Sequence, residues 1–124
     1  MQLYFIRHAQ SENNQRFIRT GSMSGRTPDP DLTRTGRQQA RVLARFLKQH
    51  GANPQARPTG HDPQNLSGYG FTHLYCSLMV RSVRTGTELA RALGLPLVGW
   101  TDLHESGGIY DLNPETEERV GLPG

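Results

Sequence analysis

Two adjacent residues near the start of the chain, Arg7 and His8, are of the types needed for chemistry on a phosphate group. A neutral imidazole can attack phosphorus as a nucleophile when one ring nitrogen is unprotonated and the other donates to a fixed acceptor. An arginine beside it can bind two phosphate oxygens with its guanidinium group. An Arg-His pair alone is more often a surface or capping feature, so its surroundings decide the interpretation.

The predicted strands place this pair and a second polar segment at equivalent positions. The apolar run Leu3–Ile6 predicts a buried first strand, and Arg7-His8 follow it directly. His73–Cys76 predicts a second strand, which is followed by Ser77–Arg81. Ligands of parallel α/β sheets bind beyond the carboxyl ends of the strands. We therefore expect the functional site where these two segments meet.

Helices and strands alternate along the rest of the chain. A helix is predicted over 34–49 after the capping residue Thr33, and a second over 81–93, with Gly94 at its end. Residues 95–100 predict a third strand. This order is typical of an α/β fold with a parallel sheet. We expect one α/β domain over residues 1–124, with helices flanking a mostly parallel sheet in three layers.

Three stretches lack a strong pattern. Residues 9–31 and 51–70 are rich in Asn, Gly, Pro and Ser, which predicts long loops. The second loop has too little apolar surface to offset the entropy of ordering it, so we expect it to be mobile. After Gly107 the chain is rich in glycine and acidic residues, and no further strong element is predicted.

Composition restricts the class of protein. With 124 residues, 34% of them hydrophobic, the chain suits one small domain with a lean core. It has no apolar run long enough for a membrane span and no secretory leader, so we expect a cytoplasmic protein that does not bind membranes. The 14 basic residues are scattered, which argues against nucleic acid as a partner. The single cysteine, Cys76, excludes an internal disulfide.

Four short motifs occur in a fixed order. They are residues 7–14 (Arg-His-Ala-Gln-Ser-Glu-Asn-Asn), 29–36 (Asp-Pro-Asp-Leu-Thr-Arg-Thr-Gly), 77–85 (Ser-Leu-Met-Val-Arg-Ser-Val-Arg-Thr) and 103–105 (Leu-His-Glu). Each is similar to a motif of the histidine phosphatase superfamily, the phosphoglycerate-mutase-like proteins, in the same order and context. The chain resembles the N-terminal part of that family over nearly its whole length.

The resemblance implies a phosphate site built around His8. In the family the matching histidine accepts the phosphoryl group and becomes a phosphohistidine. Residues matching Arg7 and Arg81 bind the phosphate oxygens and neutralise the charge that grows in the transition state. The residue matching Asn14 donates a further hydrogen bond to the phosphate.

The resemblance also implies a general acid and contacts to the rest of the substrate. Glu105 matches the family's general acid, which protonates the leaving oxygen and then activates water. Thr20 and Gly21 match a pair that contacts the remainder of the substrate in the mutase branch. Ala9 and Gln10 depart from the Gly and Glu of the family's opening motif, and the extra methyl of Ala9 puts catalytic efficiency in doubt.

The family's second catalytic histidine has no counterpart in this sequence. It stands in a Ser-His-Gly-like turn after a later strand, and none of the other four histidines has that context; they are His50, His61, His73 and His104. We expect the chain to be a fragment of a longer enzyme. A truncated relative with impaired chemistry is the alternative.

The function expected from the sequence is hydrolysis of a small phosphorylated substrate through a phosphohistidine, without a metal or another cofactor. Phosphoglycerate-mutase-type phosphoryl transfer is the alternative within enzymes. A catalytically inactive phosphate-binding module is the alternative outside them. The sequence leaves the substrate and the oligomeric state open.

Overall fold

The protein's structure is a computed structural model that describes residues 2–53, 62–103, 110–113, 115–116 and 118–121. Its elements are α1 (Glu12–Thr20), α2 (Arg34–Gln49), β1 (Leu74–Cys76), α3 (Val80–Leu93), β2 (Leu97–Gly99), β3 (Tyr110–Leu112) and β4 (Arg119–Gly121). Strands β1 and β2 are parallel, and helix α3 connects them. The α/β architecture with a parallel sheet and flanking helices is therefore confirmed.

Helix α2 packs against α3 and carries most of the core. Its buried residues are Gly36, Ala40, Ala44 and Leu47, spaced three or four apart, so they form one face of the helix. Thr33 caps its first turn, with the hydroxyl oxygen accepting the Gly36 amide at 2.9 Å. The predicted helix and its cap are confirmed.

Helix α3 covers nearly its predicted range and has a threonine among its buried residues. It starts at Val80, one residue earlier than predicted, and Gly94 ends it in the left-handed conformation (φ 67°). Thr85 and Leu89 are its buried residues, and the partly buried Leu93 packs against the core cluster of Ala44, Leu47 and Leu89. A threonine can occupy this buried row because its hydroxyl finds hydrogen-bond partners there.

The prediction of a buried first strand at Leu3–Ile6 is wrong. Within the described residues no strand pairs with this segment, and Leu3 and Phe5 are 68% and 87% exposed. Tyr4 alone points into the protein, where its ring packs on Tyr69 and Phe71. A run of β formers becomes a strand only when a neighbour pairs with its backbone and covers its side chains.

The prediction of one long loop over 9–31 is also wrong, because α1 lies inside it. Ser11 and Asn14 form a capping box at its start: the Ser11 hydroxyl accepts the Asn14 amide, and the Asn14 side chain accepts the Ser11 amide. Gly21 ends the helix with a left-handed backbone (φ 65°). The helix is mostly polar, so its apolar pattern was too weak to reveal it.

The predicted loop over 51–70 is described only in part. Residues 54–61 lie outside the described residues, so mobility there stays a prediction. Residues 62–70 are not structureless, because the Asp62 carboxylate accepts the Leu66 and Ser67 amides, each at 2.9 Å. Tyr69 then packs against Tyr4 and Phe46.

The prediction that no strong element follows Gly107 is wrong, because strands β3 and β4 form a hairpin there. Its strands are antiparallel, and the Asn113 amide donates to the Glu118 carbonyl across the turn at 3.0 Å. The Asn113 side chain accepts the Glu115 amide, a local bond that stabilises turns. Strands of three residues are too short to give a periodic pattern in sequence.

In the described part of the chain, no helix combines the length and the apolar character that crossing a membrane requires.

Candidate functional site

The segment that carries His8 is fastened to the start of α2 through Gln10. The Gln10 carbonyl accepts the Thr33 amide at 3.0 Å, and its side-chain oxygen accepts the Thr33 hydroxyl at 2.8 Å. The Gln10 amide donates to the side-chain oxygen of Gln39 at 2.9 Å. The backbone next to His8 is therefore held against α2 by three hydrogen bonds.

Gly36 makes this close approach possible. A Cβ atom at this position would lie 2.0 Å from the Gln10 carbonyl oxygen, closer than any real contact allows. The glycine of the 29–36 motif is thus required because the Gln10 backbone passes directly over it. The spacing of the motif residues alone did not predict this contact between Gly36 and Gln10.

His8 is half-buried, and a backbone carbonyl faces its ring. The distance from its Nδ1 to the Ala9 carbonyl oxygen is 2.7 Å. Because a carbonyl oxygen only accepts, Nδ1 must carry the hydrogen in this contact. In a neutral ring the lone pair then lies on Nε2, which is the state that a nucleophilic histidine needs.

The segment is also fastened to α3, through Thr85. The Ala9 amide donates to the Thr85 hydroxyl oxygen at 3.1 Å, and that hydroxyl donates to the Arg81 carbonyl at 2.8 Å. Thr85 is 4% exposed. The structure therefore joins the histidine segment to the turn of α3 that carries Arg81, as predicted for the two motifs. The part played by Thr85 was not foreseen, although it belongs to the 77–85 motif.

Arg81 lies in the first turn of α3 beside Asp29. Its side chain is 12% exposed, and its guanidinium nitrogen is 3.9 Å from an Asp29 carboxylate oxygen. The same oxygen accepts the Val80 amide at 2.9 Å. Met79 provides no side-chain cap for α3, so Asp29 supplies the negative charge that a helix N-terminus favours. Sequence reasoning missed Asp29 because its partners are distant in sequence.

Asp31 connects the starts of α2 and α3. It binds Arg37 of α2 at 2.7 Å and lies 3.6 Å from Arg84 of α3. The pKa of Asp31 is lowered, first by the hydrogen bond from the Leu32 amide and then by the charges of Arg37 and Arg84, while desolvation opposes the shift. The exposed Arg84 of α3 is therefore paired with a carboxylate of the loop that precedes α2.

Asn14 has a structural task that limits its role in binding. Its side-chain oxygen accepts both the amide and the hydroxyl of Ser11, at 3.0 and 2.9 Å. Its Nδ2 group makes no hydrogen bond to any described residue. Only this amino group of the side chain can therefore donate a hydrogen bond to a phosphate. The capping contacts of the side-chain oxygen fix its direction.

The remaining predicted site residues differ in their surroundings. Arg7 is exposed. Thr20 and Gly21 are at the opposite end of α1 from Asn14, roughly 9 Å along the helix axis at about 1.5 Å per residue. The Thr20 hydroxyl donates to the Arg16 carbonyl at 3.0 Å. Glu105 lies outside the described residues, so its placement stays a prediction. Among the residues that are described, no group of three or more His, Cys, Asp or Glu could hold a metal ion.

The sequence of this chain is similar to those of known proteins. Residues 3–57 match the profile of the histidine phosphatase superfamily (branch 1). The 2,3-bisphosphoglycerate-dependent phosphoglycerate mutase of Methylobacterium radiotolerans is 33% identical over 118 residues. That similarity covers 91% of this chain and 45% of the relative.

Two solved structures of similar fold are those of mycobacterial proteins. A protein named mycobacterial hydrolase 1 has a TM-score of 0.55 and 20% identity, over 92% of this chain and 39% of its own. The mycobacterial glucosyl-3-phosphoglycerate phosphatase in complex with VO3 has a TM-score of 0.52 and 20% identity. The match covers 92% of this chain and 40% of the phosphatase chain. The chain thus spans less than half the length of the proteins it matches.

Proposed function

Since this chain belongs to the histidine phosphatase superfamily, we propose that it cleaves small phosphomonoesters through a phosphohistidine on His8. The observation that carries the proposal is the contact between His8 Nδ1 and the Ala9 carbonyl. Nδ1 carries the hydrogen in this contact, which supports Nε2 as the nucleophilic nitrogen.

The proposed reaction has two steps. In the first, the Nε2 lone pair forms a bond to phosphorus while the bond from phosphorus to the ester oxygen breaks, and Glu105 gives its proton to that oxygen. In the second, a water oxygen attacks phosphorus, Glu105 takes the water proton, and the N–P bond breaks with its electron pair returning to Nε2. The products are an alcohol and inorganic phosphate, and both groups return to their starting states.

Positive charge near His8 supports phosphate binding. Arg81 is nearly buried at the start of α3, where its guanidinium can meet phosphate oxygens with little competition from water. Arg7 is adjacent to the nucleophile in sequence, and the amino group of Asn14 can add a neutral donor. Such preorganised donors lower the barrier most when they face the charge that develops in the transition state.

The alternative within enzymes is a mutase reaction, favoured by the 33% identity to a phosphoglycerate mutase. It would use the same phosphohistidine but return the phosphoryl group to a second hydroxyl group instead of water. Supplying phosphoglycerate and measuring products separates the two: free phosphate supports hydrolysis, and movement of the phosphoryl group between hydroxyls supports the mutase.

Trapping the phosphoenzyme tests the shared step. The chain is incubated with a ³²P-labelled phosphomonoester, denatured, and scored for acid-labile, base-stable label. His50→Gln is a matched control, because the His50 Nδ1 also meets a backbone carbonyl, that of Phe46, at 2.9 Å. We expect label in the parent and in His50→Gln and none in His8→Gln. Equal labelling of His8→Gln would overturn the proposal.

A further inference from the structure

We infer that Thr85 and Gln39 are positioning residues for His8, which act through the backbone on either side of Ala9. The inference rests on the proposed function, because it concerns the orientation of the proposed nucleophile. Both side chains bind the backbone of the histidine segment and not the reacting atoms. Each holds one of the two peptide groups that set the direction of the His8 ring.

The first peptide group joins His8 to Ala9, and its N–H donates to the Thr85 hydroxyl at 3.1 Å. The second joins Ala9 to Gln10. Its N–H donates to the Gln39 side-chain oxygen at 2.9 Å, while its carbonyl faces His8 Nδ1 at 2.7 Å. A peptide group is planar, so fixing its N–H also fixes the opposite direction of its carbonyl. Gln39 thus aims the acceptor that selects the His8 tautomer.

The side chains that bind the two peptide groups come from different helices: Thr85 is in α3 and Gln39 is in α2. Because α2 and α3 pack on each other, the two anchors are fixed relative to one another. The Thr85 hydroxyl itself is oriented by donating to the Arg81 carbonyl at 2.8 Å, which directs its lone pair to the Ala9 amide. The arrangement therefore ties the ring of the nucleophile to the helix turn that carries Arg81.

The chain contains matched controls for both residues. Thr87, two residues further along α3, makes the same type of bond to the carbonyl four residues earlier, that of Val83, at 2.7 Å. Its hydroxyl has no contact with the histidine segment among the described residues. Gln38 precedes Gln39 on α2 and is exposed, and its side chain makes no hydrogen bond to a described residue.

The test combines nuclear magnetic resonance with anion binding. Thr85→Val and Gln39→Met remove the acceptors, Thr85→Ser and Gln39→Glu retain them, and Thr87→Val and Gln38→Met are the controls. The ring ¹⁵N shifts of His8 report the tautomer without any ligand. We expect loss of the Nδ1–H preference only in Thr85→Val and Gln39→Met, together with roughly three- to tenfold weaker vanadate binding. Gln39 is exposed, so its variants keep the test valid if Thr85→Val folds poorly.

The outcomes separate this inference from the proposed function. Unchanged ring shifts in both Thr85→Val and Gln39→Met would overturn the positioning role, whatever the anion affinity. Equal shift changes in the control variants would overturn it too, since the effect would then be general. Failure of the parent chain to bind vanadate would count against the phosphate site, while the ring shifts would still decide whether the two residues orient His8.

Discussion

Asp29 binds the first turn of α3 from a loop 51 residues earlier, where its Oδ1 accepts the Val80 amide at 2.9 Å. The same oxygen lies 3.9 Å from the guanidinium of Arg81. One carboxylate therefore serves two purposes: it caps a helix that has no cap of its own, and it faces the arginine proposed to bind phosphate. The motif 29–36 is thereby connected to the motif 77–85.

Replacing Asp29 by alanine should lower the free energy of unfolding by about 1 kcal/mol, as expected for the loss of a helix cap. Asp29→Asn should lose less, because the amide oxygen can still accept the Val80 N–H. Urea unfolding of both variants measures the difference. Asp102→Ala is the control, since Asp102 is exposed and lies outside the helices. A loss in Asp102→Ala equal to that in Asp29→Ala would contradict the capping role.

Gly36→Ala should cost about 1–3 kcal/mol of folding free energy, because its Cβ would lie 2.0 Å from the Gln10 carbonyl and the backbone beside His8 would have to move. Gly86→Ala is a matched change within a helix, but its Cβ would meet the end of the flexible Leu97 side chain at 2.8 Å. We expect a clearly smaller loss there. Thermal unfolding of the two variants gives the comparison, and equal losses would argue against the close packing of Gln10 on Gly36.

The elements that could be predicted from sequence are those specified by local signals. Helices α2 and α3 have long apolar patterns, and the cap Thr33 and the terminator Gly94 mark their ends. The run Leu3–Ile6 has the composition of a strand, but pairing depends on partners elsewhere in the chain, and its pattern could not report them. Helix α1 was missed because its signals are polar caps at Ser11 and Gly21, and not an apolar face.

The residues of the candidate site also differ in whether the sequence could predict them. His8 and Arg81 could be singled out because their residue types and motifs indicate phosphate chemistry. Thr85, Gln39 and Asp29 could not be, because each acts through a hydrogen bond to a residue at least 29 positions away. Only the packing of α2 on α3 brings these partners together.

Asp31 should make stability depend on pH in a predictable direction. Its pKa is lower in the folded protein than its ordinary value, so folding favours the ionised carboxylate. The stabilisation is fully present above roughly pH 4, the ordinary aspartate pKa, and is lost as the pH falls through the folded-state pKa. Asp31→Asn should thus melt at a lower temperature than the parent at pH 7, and the difference should shrink towards pH 3. A difference independent of pH would show that Asp31 acts through hydrogen bonds alone.

Arg81→Ala should weaken the binding of vanadate, an anion that resembles phosphate in shape and charge. The loss of a charge-assisted contact at a nearly buried site corresponds to about 1.5–3 kcal/mol, or roughly 10- to 150-fold in affinity. Arg84→Ala is the matched control, because Arg84 is on the same helix but its exposed guanidinium pairs with Asp31. Calorimetric titration of the parent and both variants measures the affinities. If Arg81→Ala binds vanadate as tightly as the parent, Arg81 is only a partner of Asp29, and the phosphate site must be sought elsewhere around His8.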